Sequence, residues 1–569
     1  MNKQILLQKI NLKLQEIYDK EYKEEFLVAF NRLITYWEEK GSKNIASLSE
    51  KNSYLITYGD SFYEENKPNL ETLRTFLSKF VKDSITDVHL LPMFPYTSDD
   101  GFSVVDYRKI NPQLGEWEQI EELARDYRLM FDFVANHVSK SSEWFQGYLL
   151  DEPEYKEYFI PSVGGFDSTQ VVRPRTSPLF HQYLTKKGEK SAWSTFSEDQ
   201  VDVNFKHFPV LLEMTDILIW YADKGATSIR LDAIGFIWKE SGSSCIHLPQ
   251  AHAIIQLWNM VLDYLKPNTQ IITETNVPHK ENVSYFGDGT NEAHMVYQFS
   301  LPPLVLHTFT THNSQKISAW AKTIDKVSDT ATYFNFLSSH DGIGMRPTES
   351  ILSDEERQML INKVVENGGR ISYKTNPDGS QSVYEMNINY NDALINKDED
   401  LTEEQQIRKI LAAHSILFSV IGVPAIYYHS LLGSRNDYMG LEQSGIKRRI
   451  NREKLEFNKI KEELEHHPRR KAIFEGMISL LNIRSKKTAF SPFASQTILD
   501  LSDKVFALKR EYEKTNESII FVVNVDNNTT EMDTDISGID IITGRKIDKK
   551  IILQPYEYIW IEEKTIENN

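Results

Sequence analysis

Eight short apolar runs recur along this chain, separated by longer polar or amphipathic stretches, and this alternation constrains the fold more than any other feature. The runs are SYLITYG (53–59), DVHLLPM (87–93), RLMFDFVAN (128–136), TSIRLDAI (227–234), QIITET (270–275), HMVYQF (294–299), TYFNFLSSH (332–340) and VPAIYYH (423–429). Near-continuous hydrophobicity marks strands buried on both faces, as in a parallel sheet covered by helices. The intervening segments carry helical periodicity. In PQAHAIIQLWNMVLDYL, for example, Ile254, Trp258, Val261, Leu262 and Leu265 share one face. Eight such units predict an α/β fold closed into a (β/α)8 TIM barrel.

The 569 residues exceed what one ordinary core needs, so additional units are expected. Residues 1–50 read as an N-terminal helical extension, and 51–490 as the catalytic barrel. Two gaps are too long for simple βα loops. One follows the third strand (139–200) and one the seventh (346–405), and both are expected to be inserted domains. From 491 to 569 the pattern becomes alternating strands, including TILDLS, VFALKREY, SIIFVVNV and IDIITG, which predicts a C-terminal antiparallel β domain.

Charge and composition narrow the partners. The formal net charge of −18 argues against a nucleic-acid or anionic-membrane partner, either of which calls for a basic face. No apolar run approaches the roughly 20 residues of a membrane helix. The single cysteine, Cys245, leaves no internal disulfide and no multi-cysteine metal site, and the N-terminus lacks a signal-peptide core. A cytoplasmic location is expected, without a metal or other cofactor. A homodimer remains open.

Unusual polar residues fall at the ends of the apolar runs: Asp132 with Asn136 and His137, Arg230 with Asp232, Glu274, and His340 with Asp341. Taken singly, a strand-end acid is more often a helix cap. Several in succession, at strand ends that converge on one barrel mouth, point to an active site. Three carboxylates around an arginine suit glycoside chemistry. One must be ionised to attack the anomeric carbon, and a second must hold a proton for the leaving oxygen. Arg230, two residues from Asp232 and on the same strand face, is expected to lower the Asp232 pKa and keep it ionised. Glu274 is the expected proton donor, and Asp341 the group that stabilises positive charge on the ring.

The motifs DFVANH, IRLDAI, ITETN and SSHDG, with QVDVNF at 200–205, resemble the ordered short motifs of the α-amylase-type glycoside hydrolases (family 13). The resemblance spans about residues 50–565. It implies a catalytic barrel with an insert after strand three, with Asp232 as nucleophile, Glu274 as acid/base and Asp341 as transition-state stabiliser. It also implies that Arg230, His137 and His340 line the sugar subsite.

Within that family, HLLPMFPYTSDDGFSVVDY, RPR (173–175), KESGSSC, LPPLVLH, HDGIG and RRINR (448–452) resemble the sucrose-phosphorylase group. This adds Asp99, Phe102 and Arg448 to the glucose subsite and makes inorganic phosphate the co-substrate of a small-molecule glucoside, with Arg175 the candidate phosphate contact. The chain departs from that group around the leaving-group subsite, at Asn276 and at the Tyr384-Glu385 pair. ITETNVPHKENVSYFGDG and GGRISYKTNPDGS look like the glucosylglycerate phosphorylases of the group. The implied reaction is phosphorolysis of 2-O-α-D-glucosyl-D-glycerate to α-D-glucose 1-phosphate and D-glycerate. Arg435, Asn276 and Arg175 are candidates to meet the anionic acceptor. Phosphorylases of sucrose, sucrose 6-phosphate or glucosylglycerol, a plain α-glucosidase, and a non-catalytic barrel serving as a binding module are the alternatives.

Overall fold

The structure, a computed structural model, describes residues 1–563; the last six residues of the expected C-terminal unit lie outside the described residues. The eight apolar runs form eight parallel strands: β1 (Tyr54–Thr57), β2 (Asp87–Leu90), β3 (Arg128–Phe133), β4 (Ala226–Leu231), β5 (Gln270–Thr273), β6 (Met295–Tyr297), β7 (Thr332–Phe336) and β8 (Val423–Tyr427). They close in sequence order, with β8 pairing back onto β1 through Tyr54–Ala425, Leu55–Ile426 and Ile56–Tyr427. Each is buried along its length apart from Arg128 and Thr227, which explains the lack of polar alternation.

The N-terminal extension forms two helices, α1 (Lys3–Tyr18) and α2 (Glu24–Lys40). They pack against two outer helices of the barrel, α3 (Phe208–Asp223) and α4 (Pro249–Leu265). Phe26 stacks on Phe208 with ring centroids 4.0 Å apart. The Tyr18 hydroxyl donates to the Phe205 carbonyl at 2.9 Å, and Trp37 Nε1 donates to Asp216 Oδ1 at 2.8 Å. Leu6, Ile10, Leu14, Phe30 and Ile34 are fully buried in the same core as the barrel, so the extension is an added layer of the catalytic unit.

The stretch after β3 leaves as His137–Ser139, carries the hairpin Phe180–Thr185/Gly188–Trp193, and returns as Gln200–Asp202 antiparallel to its own start. The stretch after β7 contains a helix, Asp354–Glu366, and a three-stranded antiparallel sheet of Ile343–Gly344, Gln381–Asn387 and Arg370–Thr375. The two stretches meet across the barrel mouth, where Arg173 and Thr375 form an antiparallel bridge.

The C-terminal segment is a six-stranded antiparallel sheet spanning Ser495 to Glu563. It docks on the barrel through Trp560 Nε1, which donates to Ser419 Oγ at 2.8 Å, and through buried Arg510, which donates to the Ser419 carbonyl at 3.0 Å. Two expected strands differ. Of TILDLS only Thr497 and Ile498 are in a strand, Ser495–Ile498. IDIITG reads as a strand, but the strand is Thr530–Asp540, and residues after it turn. The Asp540 carboxylate accepts from the Ile542 and Thr543 amides, and Gly544 takes φ +77°, so an Asx-type turn overrides the β-propensity of the two isoleucines.

Candidate active site

The carboxyl ends of the barrel strands open into one pocket between the two inserted stretches. Its floor is organised by Arg230, whose guanidinium is 1% exposed. Nη1 donates to Asp132 Oδ1 at 2.6 Å and to Asp232 Oδ1 at 2.9 Å, Nε donates to the Tyr297 hydroxyl at 3.1 Å, and Nη2 lies 3.8 Å from Glu274 Oε2. Arg230 and Asp232 alternate with the same pleat of β4, so Arg230 sits one step deeper than the carboxylate it supports. Asp132, at the same level on β3, is fixed from its other oxygen by His89 Nε2 at 2.7 Å.

Just past β4 the chain turns sharply. Ala233 adopts a left-handed conformation (φ 47°), strained for a residue with a Cβ, and its amide donates to Glu274 Oε2 at 2.9 Å. Strand β4 therefore supplies Asp232 and also part of the mounting for Glu274 from β5. Across the pocket, Arg448 Nη1 lies 2.7 Å from Asp341 Oδ1, while its Nε and Nη2 donate to the two oxygens of Glu385 at 2.8 and 3.0 Å. Arg452 holds Asp99 at 3.2 Å and Asp100 at 2.9 Å, both in left-handed backbone. The His340 ring stacks on Phe102 at 4.7 Å, and His137 Nε2 donates to the Phe102 carbonyl at 2.9 Å.

The electrostatics separate the three acids. Asp341 is held well below the usual carboxylate range, because Arg448, Arg452 and Arg230 together overcome its burial. Burial pushes the Asp232 and Glu274 carboxyls up; Arg230 opposes the rise and neighbouring carboxylates add to it. The Glu274 charge adds to the rise at Asp232, so a proton taken up belongs to the pair. The direct 2.9 Å bond from Arg230 favours the charge on Asp232, and Glu274, farther from the guanidinium, is left to carry the proton. Burial keeps the His137 and His340 imidazoles neutral.

Asp232, Glu274 and Asp341 thus surround one concave pocket at the mouth of an eight-stranded barrel, in an order along the chain that can be compared directly. The α-amylase catalytic domain matches residues 57–366. The chain belongs to the α-amylase family. Among its relatives, the glucosylglycerate phosphorylase of Allomeiothermus silvanus is 45% identical over 516 residues, which cover 90% of this chain and 91% of that protein. The glucosylglycerate phosphorylase of Escherichia coli is 41% identical over 540 residues, covering 94% and 95%. Among solved structures, the sucrose 6F-phosphate phosphorylase from Thermoanaerobacter thermosaccharolyticum has a TM-score of 0.74 at 23% identity, covering 90% of this chain and 99% of that one.

In this α-amylase-family pocket the structure gathers most of the residues singled out from sequence: Asp99, Phe102, His137, Arg175, Asp232, Glu274, Asn276, His340, Asp341, Tyr384, Glu385 and Arg448 all line it. Three expectations need correction. Arg230 does not line the sugar subsite; it lies beneath the floor, because its strand position is one pleat below the mouth. It also does not leave Asp232 with a lowered pKa, since it shares its charge with Asp132 and burial outweighs the remainder. Arg435 stands outside the pocket, its side chain 65% exposed and paired with Asp392 at 2.6 Å, because the loop after β8 runs away from the mouth at that point.

Glu385 is at the pocket wall, and both its oxygens accept from Arg448. Arg175 is stacked between the rings of Phe196 and Tyr384, with its Cζ 5.2 and 4.9 Å from their centroids. Phe196, Gln200, Phe236 and Arg346 also line the pocket and were not anticipated. Gln200 opens the QVDVNF motif, Phe236 follows IRLDAI by two residues and Arg346 follows SSHDG by four, so three of the four lie beside motifs; only Phe196 sits in ordinary insert sequence.

Among the described residues no group of three or more histidine, cysteine or acidic side chains is arranged to hold a metal, and no helix is long and apolar enough to cross a membrane.

Proposed function

We propose that this chain is a retaining glucoside phosphorylase that converts 2-O-α-D-glucosyl-D-glycerate and phosphate to α-D-glucose 1-phosphate and D-glycerate. The observation that carries the reading is the placement of two carboxyls on one guanidinium: Asp232 at 2.9 Å and Glu274 at 3.8 Å from Arg230. Two carboxyls anchored on one guanidinium can serve the same bond, one as nucleophile and one as acid/base, as a double displacement requires.

In the first step the Asp232 carboxylate attacks C1, the bond from C1 to the glycerate oxygen breaks, and Glu274 gives its proton to that oxygen. A β-glucosyl ester of Asp232 remains. D-glycerate leaves and phosphate takes its place. The Glu274 carboxylate then accepts a proton from phosphate as a phosphate oxygen attacks C1, and the ester bond breaks. Two inversions return the α-configuration and restore both carboxyls. Asp341, held ionised by Arg448, faces the positive charge that develops on the ring in both steps.

The glycerate acceptor is supported by the two relatives at 45% and 41% identity, both glucosylglycerate phosphorylases. We place the reaction in the cytoplasm, in keeping with the single cysteine. The test is a coupled assay for glucose 1-phosphate with purified protein, phosphate, and four glucosides side by side: glucosylglycerate, glucosylglycerol, sucrose and sucrose 6-phosphate. Release from glucosylglycerate far above the others is expected. No release from it, or free glucose formed equally well without phosphate, overturns the reading.

A further inference from the structure

The acceptor side of the pocket holds an arginine that the catalytic scheme leaves unused. Arg346 follows β7 in a short turn and lines the pocket with its side chain 15% exposed. Its nearest acid is Glu349, at 3.9 Å from Nε, too long for a hydrogen bond. Among the described residues its buried Nε has no hydrogen-bond partner. A mostly buried guanidinium left in this state is costly unless an anion completes it. The other arginines at the pocket are differently engaged: Arg448 by Asp341 and Glu385, Arg175 by two aromatic faces and the Pro174 carbonyl.

Asn276 supplies the complementary feature. It lies two residues beyond Glu274, on the side where the leaving oxygen takes its proton, and its Oδ1 is buried with no donor among the described residues. Its amide rests against Gly344, where a Cβ would come within 2.4 Å of Oδ1. Gly344 is two residues before Arg346, so the unpartnered acceptor and the unpartnered donor belong to adjoining walls of one subsite.

We propose that Arg346 and Asn276 together determine acceptor specificity: Arg346 binds the carboxylate of a small hydroxy acid, and Asn276 Oδ1 accepts from its free hydroxyl. This rests on the phosphorylase reading above. D-glycerate, linked through its 2-oxygen, offers a carboxylate on one side of that carbon and a primary hydroxyl on the other. Glycerol in the same place offers two hydroxyls and leaves the guanidinium unpaired. A site built to bind a charged group rejects the analogue that lacks it, because the site's own polar groups stay unsatisfied.

The test runs the reaction in reverse, from α-glucose 1-phosphate with D-glycerate or with glycerol, in the wild type, R346Q and R346K. Loss of a charge-assisted carboxylate bond predicts a rise of about 100-fold in KM for D-glycerate in R346Q, with less than about a threefold change in KM for glucose 1-phosphate. The preference for glycerate over glycerol falls by the same factor, and R346K recovers part of both. An unchanged glycerate KM in R346Q overturns the inference, as does an equal loss of affinity for glucose 1-phosphate, which makes Arg346 a phosphate or structural residue. If R346Q is not folded, judged by loss of glucose 1-phosphate hydrolysis without acceptor, R346K decides on the same two KM values. A wild type active on another glucoside but not on glucosylglycerate overturns the functional reading and this inference together. An active wild type with an unaffected R346Q overturns this inference alone.

Discussion

Removing the charge beneath the catalytic floor gives the sharpest expectation. Arg230→Met keeps most of the side-chain volume but deletes the cation 2.9 Å from Asp232 and 2.6 Å from Asp132. At an effective dielectric constant of about 20, a unit charge at that 2.9 Å attracts the Asp232 carboxylate by on the order of 6 kcal/mol, equal to about four pKa units. The same charge also serves Asp132, which offsets part of it at Asp232, so a rise of about two pKa units in the ionisation that activates the nucleophile is expected.

Loss of a cation raises a carboxyl pKa, so less Asp232 is ionised at a given pH. The acid limb of kcat/KM, which reports the free enzyme, therefore moves to higher pH by about two units, and activity on the limb falls about 100-fold. The assay is phosphorolysis of glucosylglycerate from pH 5 to 9, with circular dichroism to establish that the variant is folded. Arg230→Lys keeps one positive charge and should return the limb most of the way while losing the fork that spans two carboxylates. A folded Arg230→Met enzyme with its acid limb unmoved would refute the assignment of Arg230 as the residue that makes Asp232 nucleophilic. The variant also leaves buried Asp232 without its cation and Asp132 with His89 alone, so a stability loss of about 3–5 kcal/mol is expected alongside.

Three further outcomes follow from the same geometry. Glu274→Gln should lower turnover of glucosylglycerate by about 10²–10⁴-fold, while α-glucosyl fluoride, whose leaving group needs no proton, still reacts and azide captures the intermediate as α-glucosyl azide; equal loss on both substrates contradicts the proton-donor role. Arg435→Ala should change kcat and KM less than about twofold, since its 65% exposed side chain stands outside the pocket; a large rise in glycerate KM would restore it to the acceptor subsite. Phe26→Ala, which removes the ring stacked at 4.0 Å on Phe208, should destabilise the protein by about 3–5 kcal/mol in urea melts. Leu12→Ala, at a position 65% exposed, should cost less than about 0.5 kcal/mol, and equal effects would mean that the N-terminal helices do not share the barrel core.

Much of the architecture was legible because it is written locally. A strand buried on both faces must be apolar throughout, so the eight barrel strands announced themselves, and polar residues at their ends had to face the mouth or cost energy. IRLD made the pairing of Arg230 and Asp232 readable, since residues two apart on a strand point the same way. Depth was not readable. The same spacing fits an arginine in the sugar subsite or one beneath it, and only the pleat level relative to β3 and β5 places Arg230 under the floor, shared with Asp132. The direction of the Asp232 pKa was misjudged for the same reason, because burial is a property of the assembled neighbours.

The acceptor wall was the least legible part. Arg346, Arg175 and Arg435 are all arginines in loop sequence, with nothing local to separate them. Arg175 reaches the pocket because Phe196 and Tyr384, from two different inserts, stack on it. Arg435 does not, because Asp392 captures it on the outer surface. The sequence alone determined the barrel and the acids at its strand ends, since a strand buried on both faces is apolar throughout and a polar residue at its end stands out, whereas Asp99, Phe102 and Arg448 rested on the family resemblance. Which cations face the acceptor was decided only by tertiary structure, since inserts far apart in the chain meet over the mouth and compete for the same guanidinium groups.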